Sequence, residues 1–465
     1  MARKPAKRRG GSSATLPKSL ERVNLNAAGI DVGATLHFVA VPADRCEQPV
    51  KRFEAFTDDL QRLADWLQSC GIDTVAMEAT GVYWIPLYEL LASRGFEVRL
   101  VNPHHMKSVP GRKTDVKDCQ WLQELHTYGL LSGAFRPDED IVQLRTLTRH
   151  RSMLVTYAAE HVQHIQKALT QMNIKLQHVV SDTMGVTAMR IIRAILSGER
   201  DPVTLAGMRD DRCKNSEETI ARSLHGQWRD DHLFELRQAV ELHDFYNQKL
   251  TECDRAIEQK LAELPDRSGG KPLPPRRKTK SCRKNDLRFD AQEPLYRMSG
   301  VDLTRIEGIE RSTALLLLSE IGTEMTAWQS AKHFASWLCL CPGNKVSGGR
   351  RLGGRTRQSA NRVATALRLA ARSLHSSASA LGAFFRRKRS QLGAPKAITA
   401  TAHKLARMVY SMLRYGTAYV DQGADAYEQM HKAKTLTNLQ RRAHALGFQL
   451  IPELPPAPIL ASGNS

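Results

Sequence analysis

Four carboxylates in the first quarter of the chain have the types and order that could hold metal. Asp31 lies between Gly29 and Gly33 in a short apolar run, and Glu78 closes a second such run just before Ala79-Thr80-Gly81. Asp115 and Asp118 are three residues apart in a stretch of helical spacing, so both face the same way. Carboxylate oxygens suit a hard cation such as Mg²⁺, and two such ions can clamp the attacking and leaving oxygens of a phosphodiester. Arg112, Lys113 and Lys117 flank the last pair and suit a phosphate substrate. An acid on a helix or after a strand is most often solvated surface. The strand, strand, helix order of these four is what lifts them above that reading.

The second stretch with chemical content runs from Cys341 to Ser373. It carries Lys345, Arg350, Arg351, Arg355, Arg357, Arg362, Arg368 and Arg372, with no acid after Asn344. Glycines at 348, 349, 353 and 354 let backbone amides approach a phosphate, and arginines supply paired donors to it. Ser347 stands in the middle; a bare serine is a poor nucleophile, so by chemistry alone it reads as a turn residue. The P-loop spacing around Gly349 and Gly354 fails because Arg355 stands where lysine is required, and no strand leads into it. Upstream, residues 306–316 have the look of a helix-hairpin-helix turn, with Glu310 in place of its second glycine.

These residues need elements to position them. Runs 27–33, 36–42, 73–78 and 96–102 read as strands, and 58–70, the segment with Trp84, Leu87 and Leu91, and 115–125 read as helices. Strands alternating with helices give an α/β domain over 25–140, preceded by a basic arm at 1–24. Leu147, Leu154, Ala158, Ile165, Leu169, Met172 and Leu176 form one apolar seam, and Leu236, Val240, Leu250, Ile257, Leu261 and Leu264 a second. They predict an antiparallel coiled-coil pair over 141–265 that serves as a dimer contact, with a polar insertion at about 178–228. Residues 266–300 read as a basic Pro/Gly linker, 301–425 as a helical domain interrupted by the Gly/Arg loop, and 426–465 as a tail.

Composition narrows the function classes. The chain has 465 residues, with 68 Lys and Arg against 48 Asp and Glu, a net charge of +20. That surplus points to a polyanionic partner, and the absence of any apolar run near 18 residues argues against a membrane. The basic N-terminus leads into Gly and Ser rather than an apolar segment, so no secretory signal is expected. Eight scattered cysteines without a CxxC pair predict reduced, mostly buried thiols and a cytoplasmic protein.

Gly-Ile-Asp-Val-Gly (29–33), Met-Glu-Ala-Thr-Gly-Val-Tyr-Trp (77–84), Arg-Lys-Thr-Asp-Val-Lys-Asp (112–118) and Val346-Ser347-Gly348 resemble the DEDD-type insertion-sequence transposases. This is the insertion-sequence one-ten and eleven-eleven family, related to the pilin-gene invertase. The resemblance covers about 27–150 and 300–425. It implies a RuvC-like, ribonuclease-H-like N-terminal domain plus a mostly helical C-terminal transposase domain, in a bacterial protein at the nucleoid. Asp31, Glu78, Asp115 and Asp118 would be Mg²⁺-binding catalytic acids, and Ser347 a nucleophile that joins covalently to DNA. It further implies donor and target DNA as partners, an element-encoded bridge or seeker guide RNA, and a homodimer or homotetramer. Two other functions fit the residues: a metal-only resolvase in which Ser347 merely shapes the loop, and a non-catalytic nucleic-acid-binding protein.

Overall fold

The computed structural model describes residues 21–101, 115–275, 284–343 and 345–451, with backbone alone at Lys345, Val346 and Arg351. The chain divides into two compact units, Met1–Arg136 and Pro137–Ser465.

The first unit is built on a five-stranded mixed sheet: β1 (Ala27–Val32), β2 (Leu36–Ala40), β3 (Val50–Glu54), β4 (Thr74–Glu78) and β5 (Glu97–Val101), in the order β3-β2-β1-β4-β5. β1, β2 and β3 form an antiparallel meander, whereas β4 and β5 run parallel to β1. The parallel pairs require crossovers, supplied by α1 (Thr57–Ser69) and α2 (Trp84–Ser93). Leu63, Leu67, Leu87 and Leu91 of these helices bury against Ile30, Val39, Val75 and Met77 on one face. α3 (Asp115–Thr127) covers the other, where Leu122 joins Ala76 and Val101. This mixed α/β layering is consistent with the RuvC-like expectation. β3 has no counterpart among the elements expected from sequence; Lys51, Arg52 and Glu54 put charge on an edge strand and hide its alternation.

Gly29 sets the distance between β1 and α3. A Cβ added there would stand 2.3 Å from the Gln123 amide nitrogen and 2.5 Å from the Cys119 carbonyl oxygen. Both are backbone atoms and cannot swing aside. Gly29→Ala is therefore expected to cost roughly 3 kcal/mol and to push α3 off the sheet, measured as a drop in urea midpoint. A variant as stable as the parent would show that the helix is not seated this closely.

His126 ties the far end of α3 to β4. It is fully buried, and its Nε2 lies 2.9 Å from Thr74 Oγ1. The Thr74 hydroxyl donates its one proton to the Glu97 carbonyl at 3.1 Å, so the imidazole donates to it through Nε2–H. Burial, and then the positive charge of Arg99, push its pKa from 6.5 down to about 4. In the unfolded chain the ring charges near pH 6.5, so its contribution is complete above that pH and is lost as pH falls towards 4. The loss amounts to about 3 kcal/mol. Urea unfolding at pH 4.5 and 7.5 should show a pH dependence that flattens in His126→Gln.

In the second unit, α4 (Glu139–Gln171) and α9 (Asp230–Glu263) pair antiparallel along their length. Arg151 grips buried Asp254, and Lys260 reaches Asp140 at 2.8 Å. The seam residues Leu154, Ala158, Ile165, Leu236, Val240 and Ile257 are buried. Between the long helices run α5 (Leu176–Val179), α6 (Val186–Ser197), α7 (Pro202–Ala206) and α8 (Glu217–Ser223). The segment expected as a polar insertion thus has a core of its own, with Ile191, Ile192, Ile195, Leu205 and Ile220 buried against Leu169 and Leu236.

The expected linker is also partly folded. α10 (Gln292–Ser299) is largely buried, the Arg267 amide donates to the Arg297 carbonyl at 2.7 Å, and Arg151 donates to the Asp286 carbonyl at 3.0 Å. Beyond it lie α11 (Arg311–Ile321), α12 (Ala331–Trp337), α13 (Arg362–Ser373), α14 (Ala380–Leu392), α15 (Ala394–Tyr415) and α16 (Gly423–Ala445). α16 occupies much of the expected tail. It has no buried residue and is held by Arg387 on Glu428 and by Lys404 over the Tyr427 ring, at 5.4 Å. No helix among the described residues is long and apolar enough to cross a membrane.

Candidate functional sites

Register brings two of the four acids together. β1 and β4 are paired as far as Ile30 and Met77, so the next positions, Asp31 and Glu78, sit side by side where the two parallel strands end. Ile30, Val32 and Met77 point into the core beneath α1 and α2. The alternation of strand faces puts Asp31 and Glu78 on the side covered by α3. α3 runs against β1 and β4: Gln123 and Cys119 meet Gly29, and His126 meets Thr74 at the start of β4. Its first turn, with Asp115 and Asp118, therefore lies towards the strand ends that carry Asp31 and Glu78. The buried Cys119 thiol registers this crowding, its pKa pushed up to about 12 by burial first and by the Asp31 charge second. Asp31, Glu78 and Asp118 are half-exposed, Asp115 and Lys117 exposed. Arg112 and Lys113 lie outside the described residues.

The donor set is uniformly carboxylate oxygen, which suits a hard divalent cation. Among the described residues no three His, Cys, Asp or Glu side chains cluster closely enough to hold a metal on their own. Mg²⁺ keeps several waters and commonly takes one or two protein carboxylates plus substrate phosphate. An adjacent Asp31 and Glu78 pair fits that pattern, whereas an all-protein cage does not.

The serine loop, expected as a Gly- and Arg-rich loop, contains a β-hairpin. β6 (Lys345–Ser347) and β7 (Arg350–Gly353) pair antiparallel, with Ser347 opposite Arg350 and Val346 opposite Arg351. Gly348 and Gly349 connect them with φ of 54° and 74°, the left-handed pair that a tight primed hairpin turn needs. The Gly-Gly dipeptide between the strands was the available signal for this turn. A bridge between Pro342 and Thr356 and the Gly343 amide on the Arg355 carbonyl, at 3.1 Å, close the arm's base. Thr356 thus closes a hairpin and does not open a phosphate-binding helix, in keeping with rejection of a P-loop.

Ser347 and Arg350 are both exposed at the tip. Directly opposed residues share a face with Cβ atoms about 5 Å apart, so this guanidinium is the one that register places beside the serine hydroxyl. Arg355 is exposed near the base, and Arg357 donates to the Ser336 carbonyl at 3.3 Å, fastening the arm to α12. Lys345 stands opposite Gly353, beside an irregularity in the ladder. On α13, Val363, Leu367, Ala370 and Ala371 face the core, leaving Arg362 and Arg372 exposed and Arg368 half-buried. The helix-hairpin-helix-like turn faces inward: a Cβ on Gly308 would come within 2.8 Å of the Ala370 carbonyl oxygen.

Two family models match the chain. One, described as "Transposase" and of the DEDD type, covers residues 28–174. The other, described as "Transposase IS116/IS110/IS902 family", covers residues 302–386. The first spans all four acids, and the second spans the serine hairpin and α13. No curated protein matches the sequence.

Proposed function

The chain belongs to the IS116/IS110/IS902 family of transposases and is a DNA transposase, and from that premise we propose that Ser347 is its nucleophile and that Asp31 and Glu78 would ligate Mg²⁺ directly, with Asp115 and Asp118 completing the acidic site around it. The observation that carries the serine assignment is the hairpin tip, an exposed hydroxyl directly opposite an exposed arginine. Attack by Ser347 Oγ on a DNA phosphorus forms one P–O bond, breaks one ester bond and releases a DNA hydroxyl, while the serine proton passes to a base or water. Phosphodiester energy is stored in the protein–DNA link, so rejoining is the same step reversed with a new DNA hydroxyl. Arg350 stabilises the charge that builds on the phosphate oxygens. Mg²⁺ held by the acids would supply positive charge to neutralise phosphate oxygens.

The test is a covalent trap. Incubated with DNA that it cleaves, the protein should give a protease-resistant adduct mapping to the Ser347 peptide. Cleavage without any adduct favours a metal-only resolvase. Arg350→Ala should slow adduct formation about 100-fold with little change in affinity. Arg362→Ala or Arg368→Ala should instead weaken DNA binding and lower its salt slope by roughly one ion.

Target choice in this reading rests with a guide RNA, as the resemblance to the insertion-sequence transposases implies; the net charge of +20 would serve to hold such an RNA as well as DNA. Sequence-specific recombination by ribonuclease-treated, RNA-free protein would refute it. The paired α4 and α9 leave Met153, Tyr157, Leu242 and Phe245 exposed on the outside of the hairpin. In a homodimer a second copy covers this face as a coiled-coil contact.

A further inference from the structure

A cavity of about 230 Å³ opens between α4, α11 and α13 of the second unit. Val155, Leu287, Leu315, Leu316 and Ala366 give it an apolar wall, and Leu369, 63% exposed, stands at its mouth. Its hydroxyls come from Thr148 and Ser152 of α4 and from Ser312 and Thr313 in the first turn of α11. Helical serines and threonines commonly bond a carbonyl of the preceding turn. Thr146 does so to Val142 at 3.0 Å, Thr156 to Ser152 at 3.1 Å and Ser319 to Leu316 at 3.1 Å. Thr148 does not: its Oγ1 is buried with no hydrogen-bond partner among the described residues. Ser312 and Thr313 head their helix and have no earlier turn to bond, and the Glu310 side chain before them makes no cap.

The charges are arranged differently. Arg151 also lines the cavity, but its guanidinium is committed to Asp254 and to the Asn285 and Asp286 carbonyls. Arg362, exposed as the first residue of α13, forms no ion pair among the described residues. The interior therefore offers hydrocarbon and neutral hydroxyls, and the free cation stands at the mouth. A buried hydroxyl left without a partner costs folding free energy, so Thr148 is better explained by a ligand than by the fold. A flat, neutral, hydrogen-bonding body with one phosphate outside has the chemistry of a nucleotide. The cavity is smaller than the roughly 300–1,000 Å³ of drug-sized sites, a size for one base.

The geometry points to this cavity as a capture site for one unpaired base of the DNA strand, with the phosphate of that nucleotide on Arg362. A stacked, paired base cannot reach it; only a base swung out of the helix can. Hydroxyls both donate and accept, so the site accommodates any base edge and holds a base without reading it. α11 and α13 both belong to the segment matched to the transposase family at 302–386, which favours DNA over RNA as the strand. Strand exchange unpairs bases beside the cut, and holding one of them out keeps the parental duplex from reclosing.

The experiment compares binding of the full-length chain to a DNA duplex with one bulged thymidine and to the same duplex with an abasic residue at the bulge. Binding alone is read, so the outcome does not depend on Ser347 chemistry. The base should raise affinity about tenfold, and 4-thiothymidine at the bulge should photo-cross-link to a peptide of α4 or α11. Thr148→Val keeps the shape and removes the unpartnered hydroxyl, so the fold should be at least as stable while the preference falls to about twofold. Ala366→Leu fills the cavity and should erase the preference, with abasic DNA bound as before. Arg362→Ala should weaken both duplexes alike. Equal affinity of the parent chain for the two duplexes overturns the proposal, as does a preference that survives both Thr148→Val and Ala366→Leu. A preference seen with a bulged RNA duplex and absent with DNA also overturns it, and assigns the cavity to RNA.

Discussion

Ser347→Ala is expected to abolish the protein–DNA adduct and lower strand exchange at least about 1000-fold, the scale of losing a nucleophile. DNA affinity should stay within about twofold, because phosphate-binding arginines supply it and the mutation removes one neutral oxygen. Stability should change by less than about 0.5 kcal/mol: Ser347 is exposed at a hairpin tip whose turn is set by Gly348 and Gly349, not by the serine. The combination of unchanged binding, unchanged fold and a missing adduct is what a turn serine cannot produce. Ser347→Cys should retain some activity, since a thiolate is also nucleophilic. An adduct that persists in Ser347→Ala would move the role elsewhere. Ser359 is the next serine along, and its hydroxyl accepts the Asn361 amide at 3.1 Å, so it shapes the entry to α13.

The acid end was legible in the sequence because each acid sits at a punctuated boundary. Asp31 ends an apolar run before Gly33, Glu78 precedes Ala79-Thr80-Gly81, and Asp115 and Asp118 share a helical face. What the sequence did not contain was register: only the pairing of Ile30 with Met77 makes Asp31 and Glu78 neighbours. The hairpin was hidden for a related reason. Its strands are three and four residues long, too short for alternation to be seen, and Arg350 could not be told from Arg351 until pairing set one opposite Ser347. The folded segment between α4 and α9 escaped because most of its helices, such as Pro202–Ala206, are too short to show a period; the 12-residue Val186–Ser197, with Ala188, Ile191, Ile192 and Ile195 on one face, did carry a readable stripe. α16 escaped because ion pairs and cation–ring contacts hold it, and these leave no apolar stripe to read.

Asp31→Asn is expected to cut DNA cleavage at least about 1000-fold while leaving DNA bound, because a neutral amide keeps the shape but not the charge that a divalent cation needs. The variant should fold. Asp31 belongs to a group of carboxylates at one sheet end, and its charge adds to what raises the Cys119 thiol, so neutralising it relieves like-charge crowding in the metal-free protein. Thermal unfolding separates this reading from a structural one. Added Mg²⁺ should raise the melting temperature of the parent chain, since a ligand of the folded state stabilises it by mass action, and that rise should vanish in Asp31→Asn. Asp118→Asn should behave similarly, and chelation should stop cleavage by the parent while leaving DNA binding in place. A structural Asp31 would give the opposite pattern, with lower stability in the variant, no Mg²⁺-dependent shift in either protein and cleavage reduced only as far as the fold is lost. Cleavage at the parent rate in both variants would return the four carboxylates to surface charge and leave the serine hairpin to account for the chemistry alone.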